Sequence, residues 1–260
     1  MDFKNKTALI TGASSGIGAA FARELAAKGA NLVLVARRLD RLNQLSAELS
    51  DTHGVRVSVI GLDLTTDSAV STLKSKIQDL GMEVDLLVNN AGFATSGSFE
   101  TEDLSKALNE IDLNVKALVS LTHAFIPGML IRNHGAVINV ASTAAFQPVP
   151  TMAVYGATKA FVLSFSEALW AEFEDQGVKV LALCPGGTDT EFFEVAGSQG
   201  TGSKRETASQ VVKVALAELS SKSMKPSIVS GSRNKVLAFM PRIVSRAVMS
   251  NLSKKAMTRN

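Results

Sequence analysis

Apolar residues along this chain follow two alternating patterns. Short runs rich in Val, Ile and Leu fall at 7–10, 31–36, 55–61, 85–89, 136–141, 178–183 and 227–230. Between them lie longer segments, near 16–28, 38–50, 67–79, 101–131, 152–175 and 207–220, whose apolar positions recur at steps of three and four. The first pattern predicts seven strands and the second predicts intervening helices. Strands that are apolar at consecutive positions are covered on both faces, so the alternation predicts an α/β fold with a doubly wound parallel sheet and right-handed crossovers. No Pro- or Ser-rich linker and no repeat interrupts it, so a single domain is expected. A ligand then belongs beyond the carboxyl ends of the strands.

Charge changes this picture at one end. Of 27 Lys and Arg and 24 Asp and Glu, nine of the bases and none of the acids follow Glu218. A basic tail is attached to a mildly acidic body, which divides the chain into 1–232 and a C-terminal extension, 233–260. Within the tail Val236, Leu237, Met240, Ile243, Val244, Ala247, Val248 and Leu252 recur at helical spacing. Lys235, Arg242 and Arg246 fall mostly between them, and Pro241 interrupts or starts the helix. Such a basic amphipathic helix can pack on its own domain or a sister subunit, or can make peripheral contact with an anionic membrane. No uncharged stretch reads as a membrane span. The one cysteine, Cys184, excludes an intrachain disulfide. The N-terminus lacks the three-part form of a signal peptide, so a cytoplasmic setting is expected. His53, His123 and His134 stand apart from one another, so no metal is expected, and no nucleic acid partner is expected either.

The first strand runs into Thr11-Gly12-Ala13-Ser14-Ser15-Gly16-Ile17-Gly18 and a helix follows at once. Gly12 permits a tight exit, Gly16 lets backbone approach a pyrophosphate, and Gly18 lets helix and strand pack closely. The free N–H groups of the helix then face an anion, which predicts nucleotide binding. The second strand ends not in a carboxylate but in Ala36-Arg37-Arg38. Two guanidinium groups with Ser14 or Ser15 suit a 2′-phosphate, so NADP(H) is expected over NAD(H). The alternative is that Arg37 and Arg38 are the solvated start of the next helix, although cations are misplaced there electrostatically.

Taken together, Thr11 to Gly18, Asn89-Asn90-Ala91-Gly92, Tyr155-Gly156-Ala157-Thr158-Lys159 and Pro185-Gly186 resemble the short-chain dehydrogenase/reductase family across residues 5 to about 230. The resemblance implies a Rossmann-like fold and hydride transfer between NADP(H) and a carbonyl or alcohol. A spacing of four puts Tyr155 and Lys159 on one helix face. A free phenol is too weak an acid to exchange protons near neutrality. A neighbouring ammonium and an oxidised nicotinamide both lower its pKa, making Tyr155 the acid for reduction. The resemblance further implies that Lys159 binds the nicotinamide ribose and that Ser142 positions the substrate carbonyl, with Thr143 as the fallback. It makes Asn114 the helix-distorting asparagine whose water links Lys159 to solvent, although Ala117 stands where members often have glycine. A simple buried amide is the other reading of Asn114. In the same way Asp63 and Leu64 fall at the adenine, with a turn cap as the bland role of Asp63. Asn90, Ala91 and Gly92 line the adenosine ribose, and Pro185, Gly186 and Thr188 meet the nicotinamide.

Residues 186–205 combine Gly187, Gly197, Gly200 and Gly202 with Phe192, Phe193 and Val195. This reads as a mobile flap closing over an apolar substrate. Phe93, Phe99, Phe146 and Met152 are candidates for the same mouth. A hydrophobic ketone, aldehyde or 3-oxoacyl group is the expected substrate, and reduction the expected direction. Helices 101–131 and 152–175 are apolar around much of their circumference, and with the resemblance this implies a homodimer or homotetramer. Two rivals remain: a reductase dedicated to 3-oxoacyl thioesters, and a non-catalytic NADP-sensing protein.

Overall fold

Alternate side chains of the central strands enter two different cores, which is why those strands are apolar at successive positions. The computed structural model describes residues 1–196 and 205–257. Its strands are β1 (Thr7–Thr11), β2 (Asn31–Ala36), β3 (Val57–Gly61), β4 (Leu86–Asn89), β5 (Gly135–Val140), β6 (Val178–Cys184), β7 (Thr188–Asp189), β8 (Glu206–Thr207) and β9 (Ser227–Val229). Seven of them form one parallel sheet in the order β3-β2-β1-β4-β5-β6-β9. The order reverses between β1 and β4, and that switch point opens the crevice where ligands of such sheets bind. Strands β7 and β8, which the apolar pattern did not reveal, pair as a short parallel ribbon beyond β6.

The helices are α1 (Gly16–Ala26), α2 (Leu39–His53), α3 (Ala69–Asp79), α4 (Leu104–Ile111), α5 (Leu118–Ile131), α6 (Ala153–Phe173), α7 (Phe192–Val195), α8 (Ala208–Leu219), α9 (Ser232–Phe239) and α10 (Arg246–Met257). Ile10, Leu34, Val88 and Ile138 face α1, α2 and α8 through Phe21, Leu25, Leu42 and Leu216. Their strand neighbours Leu9, Val33, Leu87 and Val137 face α3 and α5 through Leu73, Ile77, Leu121 and Met129. Helix α6 closes the second layer through Val162 and Leu163.

The predicted helix at 101–131 is instead α4 and α5 joined by a π-helical segment, Asp112–Ala117. The inserted residue shifts which side chains face the sheet, so a single 3.6-residue period does not describe the run. Leu104–Ile131, which carries Lys106, Glu110, Asp112 and Lys116 and so is not an uncharged stretch, is long and apolar enough to cross a membrane by length and composition only. Its Leu118, Leu121, Ile126 and Met129 are buried against the sheet. The tail is two helices: α9 ends in a short turn around Pro241, and α10 follows. Ala238 and Met249 are buried, while Val236, Leu237, Phe239, Ile243, Val248 and Leu252 are exposed. Asn234 ties α9 to the body by donating to Ser230 O (2.8 Å) and Glu206 Oε2 (3.2 Å).

Candidate active site

The turn from β1 into α1 is shaped by its glycines. Gly12 and Gly16 hold φ of +63° and +54°, a left-handed backbone that other residues adopt at a cost. Gly18 is needed for space: a Cβ there would lie 2.3 Å from Gly12 O and 2.6 Å from Asn90 Nδ2. Asn90 ties the ends of β4 and β1 together, its Nδ2 donating to Thr11 O (2.9 Å) and Gly12 O (3.3 Å). Thr11 Oγ1 in turn accepts from the backbone N–H groups of Asn90 and Ala91, both at 3.0 Å. The result is a glycine-lined cradle at the N-terminus of α1, with no side chain filling it from Gly12, Gly16 or Gly18. It fits a dinucleotide pyrophosphate.

At the end of β2 the structure separates the two expected arginines. Arg38 gathers the serines, donating to Ser15 Oγ (2.7 Å) and twice to Ser14 Oγ (3.2 Å). That cluster of donors fits a phosphate monoester. Arg37 is exposed and faces Asp63, whose carboxyl is held below its ordinary value first by the Thr65 backbone N–H and also by Arg37. Asp63 Oδ1 accepts from Thr65 N (3.0 Å) and Oγ1 (2.8 Å), the geometry of a turn cap. The Leu64 side chain is buried in the core under β3, which leaves only its backbone for a ligand.

The chemical groups converge past the end of β5. Ser142 is buried and starts a short helical turn, its Oγ accepting from Ala144 N (3.1 Å). Tyr155 and Lys159 rise from the first turns of α6, both buried, with Lys159 Nζ 5.7 Å from the phenol ring centroid. Nζ donates to Val140 O at 2.8 Å, so β5 itself fixes the ammonium. The Tyr155 ring packs with Phe192 at 5.4 Å between centroids, in an apolar cluster with Ala94, Met152 and Ala196. Asn114 lies in the π-helical segment despite Ala117. Its Oδ1 accepts from Phe93 N (3.1 Å), and its Nδ2 donates to Phe93 O (2.9 Å) and Thr158 Oγ1 (3.2 Å). Gly92 keeps the space between these groups open: a Cβ would sit 2.7 Å from Asn114 Oδ1 and 3.6 Å from Lys159 Nζ.

Burial pushes the Tyr155 phenol up to about 12, with the Ser142 hydroxyl pulling the other way and Glu110 adding to the rise. Burial also lowers Lys159 to about 8, with Glu110 opposing. Desolvation is the largest cause of both shifts. A phenol in this setting is a proton donor, and it becomes a base only when more positive charge arrives beside it.

The loop after β6, expected to meet the nicotinamide, carries Thr188, which is buried and donates to Gly186 O (3.1 Å). A Cβ on Gly186 would collide with Asn234 of α9, and Pro185 O accepts from Thr143 N (2.9 Å). Of the expected flap 186–205, residues 197–204, with Gly197, Gly200 and Gly202, lie outside the described residues. Among the residues expected at the mouth, Met152 and Phe192 reach Tyr155, whereas Phe99 is exposed. Phe146 and Pro148 instead face Pro241, Arg246 and Met249 of the tail across a cavity of about 270 Å³. Among the described residues, no group of three or more His, Cys, Asp and Glu could hold a metal ion.

Sequence reasoning missed Glu110 and Glu191. Glu110 is fully buried one turn before Asn114, and burial raises its carboxyl above the ordinary value. Its Oε2 accepts from Thr95 N (2.8 Å) and Thr95 Oγ1 (2.7 Å), anchoring the loop after Gly92. The signal was present: Ala107, Glu110, Asn114 and Ala117 recur at steps of three and four, so a carboxylate stands on a buried helix face. Glu191, after β7, bonds to Arg38 and Arg41 from more than a hundred residues away, which no local pattern shows.

A parallel sheet with this strand order, a glycine cradle at its switch point and a buried tyrosine–lysine pair define a nucleotide-dependent oxidoreductase of the Rossmann type. The short chain dehydrogenase family model matches residues 6–200, and the chain belongs to that family. It is 40% identical over 186 residues to sulfoacetaldehyde reductase 2 of Chromohalobacter salexigens, covering 71% of this chain and 73% of that one. It is 35% identical over 182 residues to the mouse very-long-chain 3-oxoacyl-CoA reductase, covering 68% of this chain and 58% of the relative. Among solved structures, a short-chain dehydrogenase from Sphingobium yanoikuyae in complex with NADPH superposes with a TM-score of 0.79 at 37% identity. It covers 86% of this chain and 87% of its own.

Proposed function

We propose that this enzyme reduces the carbonyl group of a hydrophobic small molecule to an alcohol with NADPH, in a cytoplasmic setting. The observation that carries the reading is the convergence past β5 of Ser142, Tyr155 and Lys159, all buried, with Tyr155 packed in an apolar cluster. Bound in the cradle from Gly12 to Gly18, NADPH supplies the hydride. Ser142 holds the substrate oxygen by donating to it, and this bond strengthens as negative charge develops there. The Tyr155 phenol then gives its proton to the alkoxide. Lys159, fixed by Val140 O, places positive charge beside the phenolate and would bind the nicotinamide ribose. Asn114 holds the Phe93 backbone in place, and the π-helical distortion around it opens the route by which solvent returns a proton. The Arg38, Ser14 and Ser15 donors favour NADP(H), a choice supported by the NADPH bound in the Sphingobium structure.

The apolar surroundings of Tyr155 support a ketone, aldehyde or 3-oxoacyl substrate, the last supported by the mouse relative. Leu104, Leu108 and Ile111 of α4 and Phe161 of α6 are exposed, which supports a homodimer formed through these helices. Tyr155→Phe is the test. The variant retains NADPH binding and loses carbonyl reduction by about a hundredfold to ten-thousandfold, the usual contribution of a general acid. A variant that reduces carbonyl compounds at the wild-type rate overturns the assignment.

A further inference from the structure

Glu191 stands where the proposed 2′-phosphate site has its strongest donors. Its Oε2 accepts from Arg38 Nη1 at 2.9 Å, and its Oε1 accepts from Arg41 Nη1 at 2.5 Å. Arg38 turns its remaining guanidinium edge to Ser14 and Ser15. One carboxylate thus bridges two guanidinium groups on the rim of the serine cluster, and the two arginines hold it ionised, pulled down to about 2 with Arg41 the larger cause. The preceding residue lies over the pyrophosphate cradle: a Cβ on Gly16 would meet Thr190 Cγ2 at 3.1 Å and Cβ at 3.2 Å. Thr190 and Glu191 therefore lie across the cradle from Gly16 to Arg41.

We propose that Glu191 is an internal stand-in for the cofactor's 2′-phosphate, which NADP(H) must displace from Arg38 and NAD(H) need not, so that Glu191 sets the margin of cofactor choice. The inference rests on the NADP(H) reading of Arg38. A phosphate monoester carries up to two negative charges, and a carboxylate left beside it on the same guanidinium repels it. Charge-assisted bonds to a phosphate exceed what a half-exposed carboxylate pair contributes, so displacement is favourable. Each exposed ion pair of this kind weakens the phosphate by up to about fivefold, equivalent to about 1 kcal/mol.

Isothermal titration of the nucleotide-free protein with NADPH and with NADH, on wild type, Glu191→Gln and Arg38→Ala, tests this without turnover. Glu191→Gln is expected to bind NADPH about threefold to tenfold more tightly and NADH as before. An unchanged or weaker NADPH affinity in Glu191→Gln, or an equal change for both nucleotides, overturns the proposal while leaving the Arg38 reading in place. If wild type binds both nucleotides equally and Arg38→Ala alters neither, the Arg38 reading fails first and the role of Glu191 fails with it. Thermal unfolding of each variant without nucleotide identifies a protein that has merely lost its fold.

Discussion

Replacing Gly18 by alanine adds one methyl group at a place where the backbone conformation is ordinary and only the space is missing. The new carbon would lie 2.3 Å from Gly12 O and 2.6 Å from Asn90 Nδ2. Normal contact is about 3.5 Å, so helix and turn must separate by about 1 Å. Overpacking of this kind costs about 1–3 kcal/mol, and loss of the Asn90 bond to the β1 turn adds about 1 kcal/mol. A total near 3 kcal/mol corresponds to a fall in melting temperature of about 6–12 °C for a domain of this size. The same displacement moves the first N–H groups of α1 off the pyrophosphate. NADPH binding should therefore weaken by at least about tenfold, the equivalent of roughly one charge-assisted hydrogen bond. Gly54→Ala is the control: its φ is +65° and nothing lies within 4 Å of the new carbon. It carries backbone strain of about 1–2 kcal/mol and leaves nucleotide binding untouched. Calorimetric melting and NADPH titration of both variants decide the matter. A Gly18→Ala protein that melts within a degree or two of wild type and binds NADPH normally refutes the close-packing explanation.

Two further outcomes follow from the same geometry. Burial lowers Lys159 from 10.5 to about 8, so below about pH 8 the folded protein carries the full burden of a charged buried lysine, and that burden fades as pH rises toward 10.5. Lys159→Met should therefore gain stability over wild type on going from pH 10 to pH 7 by about 2 kcal/mol in urea titrations. The loss of the donor to Val140 O is a constant offset at both pH values. The exposed Val236, Phe239, Ile243 and Leu252 of the tail, set among its cations, should sediment with vesicles containing anionic lipid; removal of 233–260 should abolish this, and equal sedimentation of both forms would exclude the tail as the contact.

The sheet was legible in the sequence because its central strands are buried on both faces, which writes Leu, Val and Ile at successive positions rather than only at alternate ones. The glycine turn was legible because close approach leaves a chemical mark: each glycine answers a distinct contact or dihedral angle. Tyr155 and Lys159 share a helix face, so spacing alone brings them together. The π-helical segment was not legible in the periodicity, because it offsets the apolar stripe of one continuous helix by a single residue; only the resemblance placed a distortion at Asn114. Arg37 and Arg38 read alike in sequence, and only the path of the chain after β2 turns Arg38 inward to the serines. Glu191 meets Arg38 by virtue of where β6 ends, a fact of topology rather than of local pattern. The direction of the Tyr155 shift also depended on burial that no spacing rule reports.

Tyr155 is the only tyrosine in the chain, so the ultraviolet tyrosinate band reports on it alone. Titrating the free protein should show no tyrosinate until the pH approaches about 12. With saturating NADP⁺ the band should appear below about pH 10, the ordinary value of a phenol. A titration curve that does not move when NADP⁺ binds would contradict the assignment of Tyr155 as the group that exchanges the proton.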